Sequence, residues 1–297
     1  MSTKLPLASA EDVPTESAQR TNINDNVTNQ NSQYPPSIVQ TNYMSYTFVK
    51  DPLTELSDST GALINQEPSY LESDGQCSTT NIYHVFIQSP NSGLKYVFKC
   101  NEISTCCARF WCSADTRPLT MDIKHISSAQ EFNADLAKTY FNIERPCMCP
   151  FLCFCRPYME IRNLDTDKKF GKIRHPCKFC GSAFEVINEE NTVTYTIEAG
   201  CCEAGLCCCG KCAKTSNVQF KIMQNGNQNG LITKSPSKGY EKYTNADSYT
   251  VQFPSKATPE EKMLLIVAAL MIDYQYFEKE VDDEDCSPSG VCAPVHP

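Results

Sequence analysis

Signatures of the commonest enzyme chemistries are missing from this sequence. It has no Gly-x-Gly-x-x-Gly or Walker-type phosphate loop, no His-Glu-x-x-His and no Gly-x-Ser-x-Gly elbow. Histidine is sparse, limited to His84, His125, His175 and His296. A Cys–His nucleophile pair such as His175 with Cys177 would lack a third group to orient the base, so the chain reads as a non-enzyme. Basic charge is short too: 26 Lys and Arg face 35 Asp and Glu, for a formal net charge of −9. A general nucleic-acid binder needs a basic face to displace counterions, so nucleic acid is not expected as the main partner. Lys234, Lys238 and Lys242 are too dispersed for an import signal. Residues 1–20 lack the apolar core of a secretory leader, which sets the expectation of a reducing compartment. Long apolar runs are also absent. The longest, Met263 to Ile272, has ten residues, whereas a bilayer span needs about 20.

Cysteine, by contrast, is abundant. There are 19, and 17 of them lie between Cys77 and Cys212. In a reducing setting they are open to metal binding, burial as apolar thiols, or S-acylation. The densest stretch is Arg145-Pro146-Cys147-Met148-Cys149-Pro150-Phe151-Leu152-Cys153-Phe154-Cys155-Arg156-Pro157. Its prolines disfavour helix and sheet, so it reads as a loop. Phe151, Leu152 and Phe154 suit a membrane interface, and the flanking arginines suit anionic headgroups. Acyl chains on Cys147, Cys149, Cys153 and Cys155 would add about 0.8 kcal/mol per buried CH₂. Buried core thiols are the alternative, and zinc held by two Cys-x-Cys pairs is a third, tighter than the usual Cys-x₂-Cys knuckle. Cys177-x-x-Cys180 and Cys209-x-x-Cys212 could also supply four zinc ligands.

Along the chain, residues 1–45 are polar, rich in Ser, Thr, Asn, Gln and Pro, and read as disordered. Tyr34-Pro35-Pro36 is a candidate ligand for a proline-recognising protein partner, with a plain linker as the other reading. From Tyr83 the apolar period is two. Tyr83, Val85 and Ile87 alternate with polar or outward positions, as do Leu119, Met121 and Ile123. Further runs cover 140–143, 184–188, 193–197, 218–223 and 249–253, separated by turns such as Asp165-Thr166-Asp167 and Asn225-Gly226. About a dozen short strands imply a barrel or sandwich. A repeat at an offset of 101 pairs Tyr83 with Phe184, Val85 with Val186, Cys100 with Cys201, Cys106 with Cys207, Cys107 with Cys208, Leu119 with Phe220 and Met121 with Ile222. It suggests a duplicated half-barrel and favours structural thiols in a repeated turn over zinc. Thr258, Pro259 and Glu261 start a helix over 259–278, through a capping box and a proline at the first helical position. The helix is apolar on every side, with Leu264, Ile266, Val267 and Leu270 as core residues, and is read as enclosed by the strands. An acidic tail, 280–297, follows.

Ile143-Glu144-Arg145-Pro146 leading into the cysteine loop, His175-Pro176-Cys177, Cys207-Cys208, Val251-Gln252-Phe253-Pro254 and the helix end Met271-Ile272-Asp273-Tyr274-Gln275-Tyr276-Phe277-Glu278 together resemble the phospholipid scramblase family. The likeness covers about Asp51 to Lys279. It implies a mostly β fold: a twelve-stranded Tubby-like barrel over 46–279 enclosing a C-terminal hydrophobic helix. It also implies passive, calcium-stimulated movement of membrane phospholipids, palmitate on Cys147, Cys149, Cys153 and Cys155, and a place at the cytoplasmic face of the plasma membrane. The family's calcium loop falls on Asn245 to Lys256, where Asn245 and Asp247 are the candidate ligands. Only Asp247 is anionic there and Lys256 would repel the ion, so calcium is expected to bind weakly or not at all. The second functional reading is an acylated lipid-binding or signalling adaptor without scrambling activity.

Overall fold

Alternating apolar residues build a closed antiparallel barrel. The computed structural model describes residues 51–68, 80–112, 115–126, 136–147, 156–176, 182–200, 217–236 and 247–278. The polar segment 1–45, Tyr34-Pro35-Pro36 and the acidic tail lie outside these residues. The strands are β1 (Gly61–Gln66), β2 (Ile82–Ser89), β3 (Gly93–Ile103), β4 (Leu119–His125), β5 (Thr139–Arg145) and β6 (Tyr158–Asn163). They continue as β7 (Lys169–Arg174), β8 (Ser182–Asn188), β9 (Val193–Ala199), β10 (Val218–Gln224), β11 (Asn227–Ser235) and β12 (Ser248–Gln252). Each pairs with its sequence neighbour, and β1 pairs with β12 to close the ring. Helices α1 (Thr54–Ser57), α2 (Cys106–Trp111) and α3 (Pro259–Tyr276) accompany the strands. The architecture is mostly β and consistent with a Tubby-like barrel.

The 101-residue offset acquires a geometric meaning. It carries β2 onto β8, β3 onto β9 and β4 onto β10, six strands away in a ring of twelve. Strand phase is kept, because Tyr83 and Phe184, Val85 and Val186, Leu119 and Phe220, and Met121 and Ile222 are all buried. Backbone constraints fix two positions. Asn225 and Gly226 both have positive φ and join β10 to β11 as a tight hairpin. Gly171 has a φ of 146°, and a Cβ there would lie 2.0 Å from the Ile187 carbonyl oxygen on β8, so the approach of β7 to β8 requires glycine.

The interior is filled by α3. Thr258 caps it: the Glu261 amide donates to Thr258 Oγ1 at 3.3 Å, and the Thr258 amide donates to Glu261 Oε2 at 2.9 Å. Every residue from Lys262 to Tyr274 is buried, including Leu264, Ile266, Val267 and Leu270. A helix apolar on all sides has no polar face to offer water, and the inward faces of the strands cover it from all directions. Each fully buried Leu, Ile or Val contributes about 1.5–3 kcal/mol relative to exposure. The helix ends at Tyr276 rather than at 278, because Phe277 caps it and packs against Tyr249. No helix among the described residues is long and apolar enough to cross a membrane.

Candidate functional site

Alternation of strand direction gives the barrel two unlike ends. Turns β2–β3, β6–β7, β8–β9 and β10–β11 lie at the end where α3 begins, together with α1. Lys262 ties α3 to this end. Its ammonium donates to the carbonyls of Leu56, Ser57 and Ser59 at 2.8, 2.9 and 2.9 Å. Connections β1–β2, β3–β4, β5–β6, β7–β8, β9–β10 and β11–β12 depart from the opposite end, where α3 finishes. In the sequence, every cysteine except Cys100, Cys286 and Cys292 falls within one of these connections. The cysteine clusters, scattered along the chain, are therefore rooted on one rim.

Beneath that rim lies a buried polar cluster built from four strands, the end of α3 and the connections beside them. Tyr83 on β2 and Tyr249 on β12 each donate a hydroxyl to Asp273 of α3, both at 2.6 Å. Tyr274 donates to Glu102 on β3 at 2.6 Å, and Arg117 lies 3.1 Å from the same carboxylate. Asn81 donates to Glu278 at 2.6 Å. The Arg145 Nε donates to the Arg117 carbonyl at 3.0 Å, and its guanidinium lies 5.0 Å from the Tyr274 ring centroid. Burial first, and the nearby carboxylates of Asp247 and Glu278 second, raise the Asp273 carboxyl well above its ordinary range. Burial likewise raises Glu278 and lowers the Arg145 guanidinium to about 10. These groups face one another and anchor the helix end.

The proposed acylation sites divide between described and undescribed residues. Cys147, directly after Arg145-Pro146, is exposed and free. Cys149, Cys153 and Cys155 lie outside the described residues. So do Cys177, Cys180, Cys209 and Cys212, and no group of three metal-binding side chains occurs among the described residues. Cys100 is a buried thiol raised to about 12 by desolvation, a structural role. Cys106 departs from expectation: it is disulfide-bonded, a use that a wholly reducing setting left out. His175 is half-buried and engaged with Tyr276, whose hydroxyl is 3.0 Å from Nε2 and also accepts from Ser182 at 2.8 Å. Burial, and then Arg156, lower its pKa.

The calcium segment takes an extended form. Asn245 lies outside the described residues. Ser248–Gln252 is β12, paired on both sides with β1 and β11. Asp247 is buried, with Oδ1 2.7 Å from the ammonium of Lys234, itself fully buried and 4.8 Å from the Phe277 ring centroid. A calcium ion takes six to eight oxygen ligands from a flexible loop, and Asp247 already faces a cation.

Two features of the rim escaped sequence reasoning. The first is an open cavity of about 370 Å³ at the roots of β3–β4 and β5–β6, lined in part by Thr105, Glu144, Arg145, Pro146, Tyr158 and Glu160. The second is α2. Thr105 caps it by accepting from the Ala108 amide, and it buries none of its residues. Phe110 and Trp111 are exposed at 67% and 80%, with rings edge-on at 5.2 Å. Six residues give no usable helical periodicity, so only the structure reveals this pair.

A family model described as Scramblase matches residues 45–279. The chain is 26% identical to phospholipid scramblase 1 of Mus musculus over 229 residues, covering 76% of this chain and 63% of that protein. It is 26% identical to phospholipid scramblase 1 of Homo sapiens over 242 residues, 79% of this chain and 68% of that one. Phospholipid scramblase 2 of Homo sapiens is 26% identical over 233 residues, 76% and 70% respectively. The alignment spans a little under two thirds of the mouse and rat relatives' length. No solved structure gives a significant match.

Proposed function

The chain belongs to the scramblase family, and from that membership we propose that it is a membrane-associated phospholipid scramblase that moves lipids passively between leaflets. The observation that carries the reading is the match across 45–279, which takes in the whole barrel and α3. Scrambling makes and breaks no covalent bond, so it needs no acid, base or nucleophile; the polar groups beneath the rim are spent on one another. Acylation of Cys147, Cys149, Cys153 and Cys155 holds the rim at the cytoplasmic face of the plasma membrane, since two or more chains make anchoring stable. Calcium acts weakly or not at all through Asn245 and Asp247, because the latter is paired with Lys234. Phospholipids are the cargo, and Tyr34-Pro35-Pro36 offers a site for a protein partner.

A second reading has a specific observation in its favour. With α3 enclosed and no helix among the described residues able to span a bilayer, the barrel could serve as an acylated lipid-binding or signalling adaptor. The test is movement of a fluorescent phospholipid in liposomes bearing the purified, acylated protein, with and without millimolar calcium. The expected result is a rate above protein-free liposomes that persists when calcium is chelated. No rate under either condition, with folding and acylation verified, would establish the adaptor instead.

A further inference from the structure

The rim that bears the cysteine connections also carries the Phe110–Trp111 pair, and the two observations together have a consequence for how the barrel meets a bilayer. We infer that α2 is a membrane-docking wedge: Trp111 and Phe110 insert into the headgroup region of a phospholipid bilayer, and the rim from which α3 exits faces the lipid. This deepens the membrane reading above and rests on it.

Exposure of the pair is costly in water. A Trp and a Phe standing clear of the surface forgo the 150–250 Å² that each such ring can bury. Packing does not explain α2, because no residue of it is buried. Ile103, 54% exposed, adds apolar surface at the end of β3 on the same rim. An indole joins an apolar body to one N–H donor, the combination that settles at the headgroup boundary rather than in the hydrocarbon or in water. Arg109, the cation within α2, is folded back onto Ser104, donating to its carbonyl at 2.5 Å and its hydroxyl at 2.9 Å. Docking is therefore driven by apolar insertion and not by attraction to anionic lipid, as suits a chain of net charge −9. The neighbouring connection β5–β6 carries exposed Cys147 two residues past the end of β5, so wedge and proposed acyl chains meet the same surface.

The opposite end has exposed apolar residues too, but of another kind. Leu94, Leu136, Leu164 and Val193 are exposed there, all of them aliphatic, at the same end as the ion pairs Lys138–Asp165 and Lys168–Glu189. Exposed aliphatic residues set among charges are ordinary protein surface, and desolvating those pairs against lipid would be unfavourable.

Trp111 is the sole tryptophan of the chain, so its emission reports on the wedge alone. The experiment uses the full chain, made without acyl chains, titrated with phosphatidylcholine vesicles whose lipids carry bromine near the headgroup. The expected result is a blue shift with bromine quenching, little changed by raising salt from 0.1 to 0.5 M, screening that weakens charge attraction but not apolar insertion. F110S/W111S should lower vesicle partitioning about tenfold or more, the loss of two inserted rings, with unchanged circular dichroism and thermal midpoint. In W111F/L136W, the indole at the other end should stay unquenched. Unshifted, unquenched Trp111 emission while the acylated protein floats with vesicles would overturn the inference. So would quenching of Leu136→Trp in its place, or a blue shift that grows with protein concentration without lipid and marks a second copy as the occupant. Quenching of Trp111 together with absent lipid scrambling would support this docking face and defeat only the transport activity.

Discussion

Asp273 is a carboxyl group placed where water does not reach, and its behaviour follows from that burial, which the hydrogen bonds of two phenols only partly offset. Tyr83 and Tyr249 each donate to one of its oxygens, while burial raises its pKa well above the ordinary carboxylate range. The folded protein thus binds this proton more tightly than the unfolded chain does. The stability so gained is complete below the unfolded carboxylate pKa, about 4, and is lost as pH rises above it toward the folded value. Glu278, shifted the same way by burial, adds to the trend. Denaturant titrations at pH 5 and pH 8 should therefore show the native sequence losing more stability with rising pH than Asp273→Asn. Asp273→Ala leaves both hydroxyls without their acceptor and should cost about 2–5 kcal/mol. Equal pH slopes for the native chain and Asp273→Asn would mean that the carboxyl is already ionised in the fold. In the sequence this carboxyl shows only as the residue that follows the apolar run Met263 to Ile272. Its partners sit 190 and 24 positions away, and only closure of the barrel brings them together.

At the scale of elements, legibility followed the purity of each pattern. Strands β2, β4 and β10 alternate cleanly and were readable from Tyr83, Leu119 and Phe220 onward. Strand β7 was not: Lys169, Gly171, Lys172 and Arg174 leave only Phe170 and Ile173 as inward apolar residues. Strand β11 begins Asn227-Gln228-Asn229-Gly230, which has the chemistry of a turn, yet pairing with β10 draws it into the sheet. The helix α3 was the clearest element, because its capping box and apolar run are local signals. Its surroundings yield a prediction. Leu270→Ala should lower stability by about 2–5 kcal/mol and leave vesicle binding unchanged, measured by urea midpoint and flotation. A helix lodged in lipid would give the reverse, a small change in the midpoint and a loss of flotation.

For the whole molecule, the repeat foretold the symmetry of the ring but not its polarity. A 101-residue offset shows that two halves share a pattern; it does not show which ends of the strands their connections share. Once β1 pairs with β12, the alternation of direction gathers the cysteine-bearing connections on one rim and leaves the cysteine-free connections on the other. The cysteine clusters were conspicuous along the chain, and their common rim became visible only with the topology. The wedge at Trp111 was missed for the related reason that exposure is a property of the assembled surface.

The order of elements also bears on how the protein is made. Strands β1 to β12 precede α3 in the chain, yet α3 supplies the centre on which their inward faces pack. Until Pro259–Tyr276 has emerged, a nascent chain holds twelve strands with nothing to enclose, and neither half of the duplicated pattern has a core of its own. Synthesis from one end to the other thus delays the folding reward to the last element, and leaves unpaired strand edges exposed to aggregation meanwhile. A chain stopped at Thr258 should aggregate, and supplying residues 258–278 as a separate peptide during refolding should recover soluble barrel, scored by size-exclusion chromatography. Release of such a protein from the ribosome calls for a chaperone that shields open sheet rather than one that only speeds a finished fold.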